Sequence, residues 1–506
     1  MKSNAKTLMV VGTASSVGKS LLVTALCRIF KRRGLAVAPF KSQNMSLNSF
    51  VTPEGHEMGR AQVAQAEAAG LSPSALMNPI LLKPTGDSKS QVIVGGRVHG
   101  QMSATEYYDY KENLRPQVQA AFQALAAQYE LIIIEGAGSP AEINLMQGDF
   151  VNMGLAAMVQ APVILVGDID RGGVFASLYG TVKLLPPADQ TRVKGLVINK
   201  FRGDLQILKP GLLQIESLLS IPVLGVIPHA KFALDEEDSL TDRLTAARAA
   251  SGPGAIQIAV LRLPRLSNFT DFAVFDSLPG VALSYVEDRA GLEAADLIII
   301  PGSKNTLEDM LYLEESGLAG CLRGLAAEGR AICGICGGFQ MLGRRIHDPY
   351  GVESDLPSID GLGLLEVETS LARTKRTIQT SLTLGHHPGV LAGAGGRRLT
   401  GYEIHLGETT AGPTARPLAD GPDGPAGAVN PAGNVFGSYL HGFFDQLDFT
   451  RQLLNNLGRG RGLPESRPEP LPASYHELKE REYDRLADLV EASLPVAKLE
   501  TIAGLG

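Results

Sequence analysis

The chain has 506 residues, 44% of them hydrophobic and 20% charged, with a formal net charge of −7. This describes a soluble globular protein of two or three domains, and an acidic balance without a Lys/Arg cluster excludes a nucleic-acid groove built from bulk charge. The four cysteines, Cys27, Cys321, Cys333 and Cys336, are too few for a disulfide framework and point to a reducing cytoplasm.

From the N-terminus, short apolar runs alternate with amphipathic stretches. The expected strands are Leu8–Val11, Val37–Phe40, Leu131–Ile134, Val163–Val166, Leu196–Ile198 and Val223–Ile227. Four to six residues rich in Val and Ile, bounded by Gly, Pro or Asp, suit buried parallel strands, so residues 1–230 read as one doubly wound α/β domain. The longest uncharged run, Val151 to Gly167, contains Asn152, Gln160 and Pro162 and reads as a helix end followed by a strand, not a membrane span. No secretory h-region precedes the first strand.

Between the first strand and a helix beginning near Leu21 lies Gly12-Thr-Ala-Ser-Ser-Val-Gly-Lys-Ser20. Small residues let backbone N–H groups curl around phosphate oxygens; Lys19 reaches the β and γ oxygens, and the Ser20 hydroxyl suits Mg²⁺. Gly12, Thr13, Ser16, Val17, Gly18, Lys19 and Ser20 are the expected nucleotide-binding residues. The spacing is a variant: five residues separate Gly12 from Gly18, with Thr13 where the first glycine would stand. It resembles the loop of dethiobiotin synthetase and its relatives.

A Mg²⁺ site needs further hard oxygen ligands. Glu135 ends the apolar run Leu131-Ile-Ile-Ile-Glu135, and Glu57 lies in His56-Glu-Met-Gly-Arg60; both are candidates. Asn199 and Lys200, after the Leu196 strand, are candidates to read the nucleotide base. Asp168 and Asp170 follow another strand end, at the face where α/β sheets bind ligands.

Residues 231–255 read as a linker. A second alternation then begins with Ile256–Leu261, Val281–Tyr285, Leu297–Ile300 and Ala331–Cys333, giving a second α/β domain over 256–460. Past Gly361–Val367 the chain is heavy in Gly, Thr and Pro, and Thr409 to Pro431 reads as a surface loop. Residues 461–506 read as a Pro-rich spacer and, from Ser474, one polar helix with Glu/Lys pairs.

In Arg330-Ala-Ile-Cys-Gly-Ile-Cys-Gly-Gly-Phe-Gln-Met-Leu-Gly343, an apolar run delivers Cys336 to a sharp turn before a helix, as a nucleophile elbow requires. Cys333 and Cys336 also spell C-x-x-C, but zinc would need a second ligand pair at suitable spacing, and a thioredoxin-type helix would start after the first Cys. Of nine His, His441, at an expected strand end in Gly437-Ser-Tyr-Leu-His441, is the preferred general base; His405 is second, and His386 and His387 fall in a loop. Gly302 and Ser303, in a turn after the Leu297 strand, offer amides that with that of Gly337 would form an oxyanion hole.

Taken in order, the variant phosphate loop, Glu135-Gly-Ala-Gly138, Pro301-Gly-Ser-Lys-Asn-Thr306, Gly334-Ile-Cys-Gly-Gly-Phe-Gln340, Tyr402-Glu-Ile-His405 and Tyr439-Leu-His-Gly442 resemble the cobyric acid synthases, glutamine-dependent amidotransferases of cobalamin biosynthesis. The resemblance covers nearly the whole chain. Phe40-Lys-Ser-Gln-Asn-Met-Ser-Leu-Asn-Ser49 and Met77-Asn-Pro-Ile-Leu-Leu-Lys-Pro84 favour that family over the cobyrinic acid a,c-diamide synthases, which share its domain plan.

The resemblance implies a dethiobiotin-synthetase-like P-loop domain followed by a class I glutaminase domain. It implies ATP and Mg²⁺ as cofactors, L-glutamine as nitrogen donor and a corrinoid as acceptor. Cys336 would attack the glutamine amide, His441 would act as base and then acid, and the ammonia would displace phosphate from a corrinoid acyl phosphate. It implies a cytoplasmic enzyme without nucleic-acid or membrane partners and leaves room for a homo-oligomer. Ordinary class I glutaminases carry an orienting acid two residues after the His, whereas here that position is Phe443. Glu403 and Asp445 are the alternatives considered, and Lys41–Ser49 is the expected corrinoid loop. The alternatives are another amidotransferase of the same plan, such as the a,c-diamide synthase or a cell-wall enzyme, and a partitioning ATPase, which would leave the Cys336 elbow unexplained.

Overall fold

The computed structural model describes residues 5–85, 89–234, 254–463 and 474–505. The chain divides into two compact units: Met1–Ser46, His56–Glu237 and Lys479–Gly506 form one, Leu47–Gly55 and Asp238–Leu478 the other. The serial order expected from the sequence is thus exchanged in two segments. Most of the expected linker, 235–253, and most of the expected spacer, 464–473, lie outside the described residues.

In the first unit, six strands form a sheet in the order Val223–Pro228, Val193–Phe201, Val163–Asp168, Lys6–Gly12, Leu131–Glu135 and Val37–Phe40. All neighbours run parallel. The central Leu131 strand is buried at every position, which is why its sequence is a continuous apolar run rather than an alternation. Residues Gln43–Met45, Ile80–Pro84, Lys89–Val94 and Arg97–Ser103 add a small four-stranded sheet absent from the sequence-based expectation.

The C-terminal segment corrects another expectation. It forms two helices, Tyr475–Ser493 and Val496–Ala503. Their apolar face is part of the first unit's core: Tyr483, Leu486, Val490 and Leu499 pack in one cluster with Leu8, Val10 and Leu26. Arg28, on the helix Lys19–Arg32, grips Asp484 through both carboxylate oxygens at 2.8 and 2.9 Å. Charged residues therefore lie on one side of a helix whose other side is buried.

In the second unit the strand order is Val281–Val286, Ile256–Leu261, Leu297–Ile300, Ala331–Ile335, Val435–Ser438 and Ala428–Val429, parallel except for the last pair. Strands Val367–Leu384 and Arg398–Ala411 form a long antiparallel hairpin. It was not expected, because Gly and Thr dilute its alternation. The stretch expected as a loop from Thr409 to Pro431 holds the end of that hairpin and three short strands. Residues 47–55 join this unit through backbone contacts: Thr377 Oγ1 donates to Gly55 O, and Tyr402 Oη to Ser49 O.

Candidate functional site

In the first unit, the loop after the Lys6–Gly12 strand turns sharply. Ser16 has φ 58° and Gly18 φ 97°. A Cβ on Gly18 would also collide with the Asn199 amide, so glycine is required there for both reasons. Lys19 Nζ curls back over the loop to Ala14 O and Gly138 O at 3.0 and 3.1 Å. Ser20 Oγ donates to Glu135 Oε1 at 2.8 Å, so the hydroxyl and carboxylate chosen from the sequence meet. This tight turn, an ammonium and a pair of hard oxygens fit the phosphate tail of a nucleotide and a divalent cation.

Glu135 is fully buried and shared: Lys41 Nζ lies 2.9 Å from one oxygen and Gln65 Nε2 2.5 Å from the other. Glu57 is paired with Lys83 at 2.7 Å, both buried. Asn199 Nδ2 donates to Val17 O at 2.8 Å and Lys200 Nζ to Ser16 O at 2.7 Å, so both residues brace the loop's backbone. Of the expected corrinoid loop, Lys41, Ser42, Asn44, Ser46, Asn48 and Ser49 are buried, while Met45 is 55% exposed.

In the second unit, the buried strand Ala331–Ile335 delivers Cys336 to a turn with φ 53° and ψ −110°, a conformation non-glycine residues avoid. The helix Gly337–Leu342 follows at once. A Cβ on Gly338 would collide with Ile300 O, so this turn is possible only with a bare backbone there. Cys333 stays inside the strand, fully buried, and burial pushes its thiol well above the usual range. All four cysteines are free, and among the described residues no group of three or more His, Cys, Asp or Glu could hold a metal.

His441 follows the neighbouring strand, Val435–Ser438, and is fixed by a two-way backbone bridge to Tyr402: its N–H donates to Tyr402 O at 2.9 Å, and Tyr402 N to its carbonyl at 3.3 Å. The ring stacks on Tyr402, with centroids 5.0 Å apart. Nδ1 lies 2.6 Å from Asp271 Oδ2, and among the described residues Nε2 has no hydrogen-bond partner. Burial, the largest single influence, disfavours the charged ring, but the Asp271 carboxylate and the Cys336 side chain together outweigh it and the imidazole is pushed up to about 10.

Gly302–Ser303 pairs antiparallel with Leu266–Ser267, and Lys304 N donates to Arg265 O at 3.0 Å. By the alternation of an antiparallel ladder, Ser303 then turns its N–H away from the partner strand. A Cβ on Gly337 would lie 2.9 Å from Ser303 N, and one on Gly302 3.7 Å from His441 Cε1. Gly302, Ser303, Gly337 and His441 therefore converge on the Cys336 turn.

The other sequence-based candidates have other partners. His405 Nδ1 is 2.7 Å from Gly407 O, and its ring stacks on Tyr439 with centroids 3.7 Å apart. Glu403 pairs with Arg376 at 2.8 Å. Phe443 enters an aromatic cluster with Phe436, Phe444 and Phe449, which explains why no acid stands two residues after His441. Asp271 takes the place at Nδ1 for which Glu403 and Asp445 were considered. It lies before the Cys in sequence, in Ser267-Asn-Phe-Thr-Asp271, and no spacing rule marks it. A cavity of about 370 Å³ is lined by Arg376, Glu403, His405, Arg416, Asp423 and Tyr439 among others.

Residues 8–239 match the model of the CobQ/CobB/MinD/ParA nucleotide binding domain, and residues 257–449 that of the CobB/CobQ-like glutamine amidotransferase domain. A cobyric acid synthase of Alkaliphilus metalliredigens is 52% identical over 96% of this chain and 97% of its own. The chain belongs to the cobyric acid synthase family. Family members from Streptococcus sanguinis and Caldanaerobacter subterraneus are 50% and 49% identical, each over 98% of both chains. Among solved structures, a glutamine amidotransferase covers 40% of this chain and 98% of itself at 19% identity with a TM-score of 0.31, too weak a likeness to add to the family assignment. As a member of this family, the chain is an enzyme of glutamine-dependent amidation with a nucleotide-binding domain ahead of its glutaminase domain.

Proposed function

We propose that the enzyme amidates the b, d, e and g side-chain carboxylates of adenosylcobyrinic acid a,c-diamide to give adenosylcobyric acid, with nitrogen from L-glutamine. The observation that carries this reading is the presence in one chain of two complete constellations of different chemistry: the Lys19–Ser20–Glu135 loop and the Cys336–His441 elbow.

At the elbow, the Cys336 sulfur attacks the glutamine amide carbon and its proton passes to His441 Nε2. The developing oxyanion is held by the amides of Ser303 and Gly337, beside Gly302. His441 returns the proton to the leaving ammonia, and water then hydrolyses the thioester by the same route in reverse.

Mg-ATP, when bound, would supply the phosphoryl group that turns a corrinoid carboxylate into an acyl phosphate, from whose acyl carbon ammonia would displace inorganic phosphate to leave the amide. Gly12, Thr13, Ser16, Val17 and Gly18 cradle phosphate with their backbone, and Lys19 neutralises it. We give the metal role to Ser20 and Glu135; Glu57, held by Lys83, is the weaker candidate. Asn199 and Lys200 brace the loop's backbone and are our candidates for contact with the base.

The test is mass spectrometry of the corrinoid after incubation with enzyme, glutamine, ATP and Mg²⁺. Each carboxyl-to-amide conversion lowers the mass by about one unit, and stepwise loss to the tetra-amide is expected. No shift, with glutamine still hydrolysed, would move the activity to another acid.

A further inference from the structure

We propose that Asp271 is the positioning residue of the glutaminase site, holding His441 in the tautomer that carries a proton at Nδ1 and leaves Nε2 to exchange a proton with Cys336. This rests on the reading of Cys336 and His441 as nucleophile and base. A carboxylate can only accept, so a 2.6 Å contact to Nδ1 places the ring's proton there. Asn268 Nδ2 also approaches Nδ1, but at 3.4 Å, and its own oxygen accepts from Ser49 N at 3.0 Å. The Asp271 contact is the shorter and the charged one.

The surroundings hold Asp271 still. It sits on the one-turn helix Phe269–Phe272, entered through Asn268 at φ 53°. Phe269 N donates to Asn48 Oδ1 at 3.1 Å and Tyr285 Oη to Phe269 O at 3.2 Å, while Phe272 is fully buried beside Phe444. Tyr402, stacked on the imidazole itself, keeps the ring from swinging off the carboxylate. The constellation then runs acid, Cys, His along the chain, whereas the ordinary class I arrangement places the acid after the His. Such sites are defined by geometry and not by sequence order.

The test compares Asp271→Asn, Asp271→Glu and Cys336→Ser in the full chain, with glutamine or free ammonium as nitrogen source. Asp271→Asn is expected to lower kcat for glutamine hydrolysis by about 10³- to 10⁴-fold, with KM changed by less than roughly threefold. Ammonium-driven amidation should persist, and Asp271→Glu should recover part of the loss. Glutamine kcat within about threefold of the wild type in Asp271→Asn would overturn the proposal. So would a loss of both activities together with a lowered Tm, since Asp271 would then be structural. Glutamine hydrolysis persisting in Cys336→Ser would instead overturn the underlying reading of the thiol.

Discussion

Asp271 Oδ2 lies 2.6 Å from His441 Nδ1, although 170 residues separate them in the chain. The contact couples stability to pH. With the folded imidazole raised from 6.5 to about 10, the stabilisation from the ion pair is fully present below pH 6.5 and is lost as pH rises through about 10. The Tm difference between the wild type and Asp271→Asn is therefore expected to be largest at the acid end of a series from pH 6.5 to 10 and to narrow toward pH 10. A difference that stays constant would mean that His441 does not carry the charge.

Gly338 tests the elbow without touching a reacting group. Its Cβ position falls on the Ile300 carbonyl oxygen, so Gly338→Ala must push apart the strand end that carries Gly302 and the turn that carries Cys336. Overpacking of this kind costs about 1–3 kcal/mol. The expected result is a lowered denaturation midpoint, with glutamine hydrolysis reduced far more than ammonium-driven amidation.

The C-terminal helices supply a third test. Leu486 is 3% exposed in the same core as Leu8 and Leu26. Truncation to alanine there is expected to cost about 2–5 kcal/mol, read by denaturant unfolding. A surface substitution on the same helix, such as Arg481→Ala, should change stability by less than about 0.5 kcal/mol.

The legible parts of the fold were those where local pattern and environment agree. The inner parallel strands, such as Leu131–Glu135 and Leu297–Ile300, are continuous apolar runs because every position is buried, and each of the expected strands is a strand. Ser20 and Glu135 could be placed side by side from the sequence, and they are hydrogen-bonded, because a strand end and the loop beside it meet at the same edge of the sheet. Asp271 was missed because its partner is chosen by tertiary structure: nothing near Asn268-Phe-Thr-Asp271 marks it, and the usual acid position had become Phe443, a core residue. The C-terminal helix was misread as polar because its Glu, Lys and Arg are conspicuous, while Tyr483, Leu486 and Val490 fall on one face only when wound at helical period.

The central claim is that the Cys336 thiol releases the nitrogen that ends in the corrinoid amide. Its most direct measurement follows label from [amide-¹⁵N]glutamine into the corrinoid product in the presence of unlabelled ammonium, for the wild type and Cys336→Ser. The wild type should incorporate the label, and Cys336→Ser should form the same amides without it. Labelled product from Cys336→Ser, or no product from it with either nitrogen source, would contradict the account.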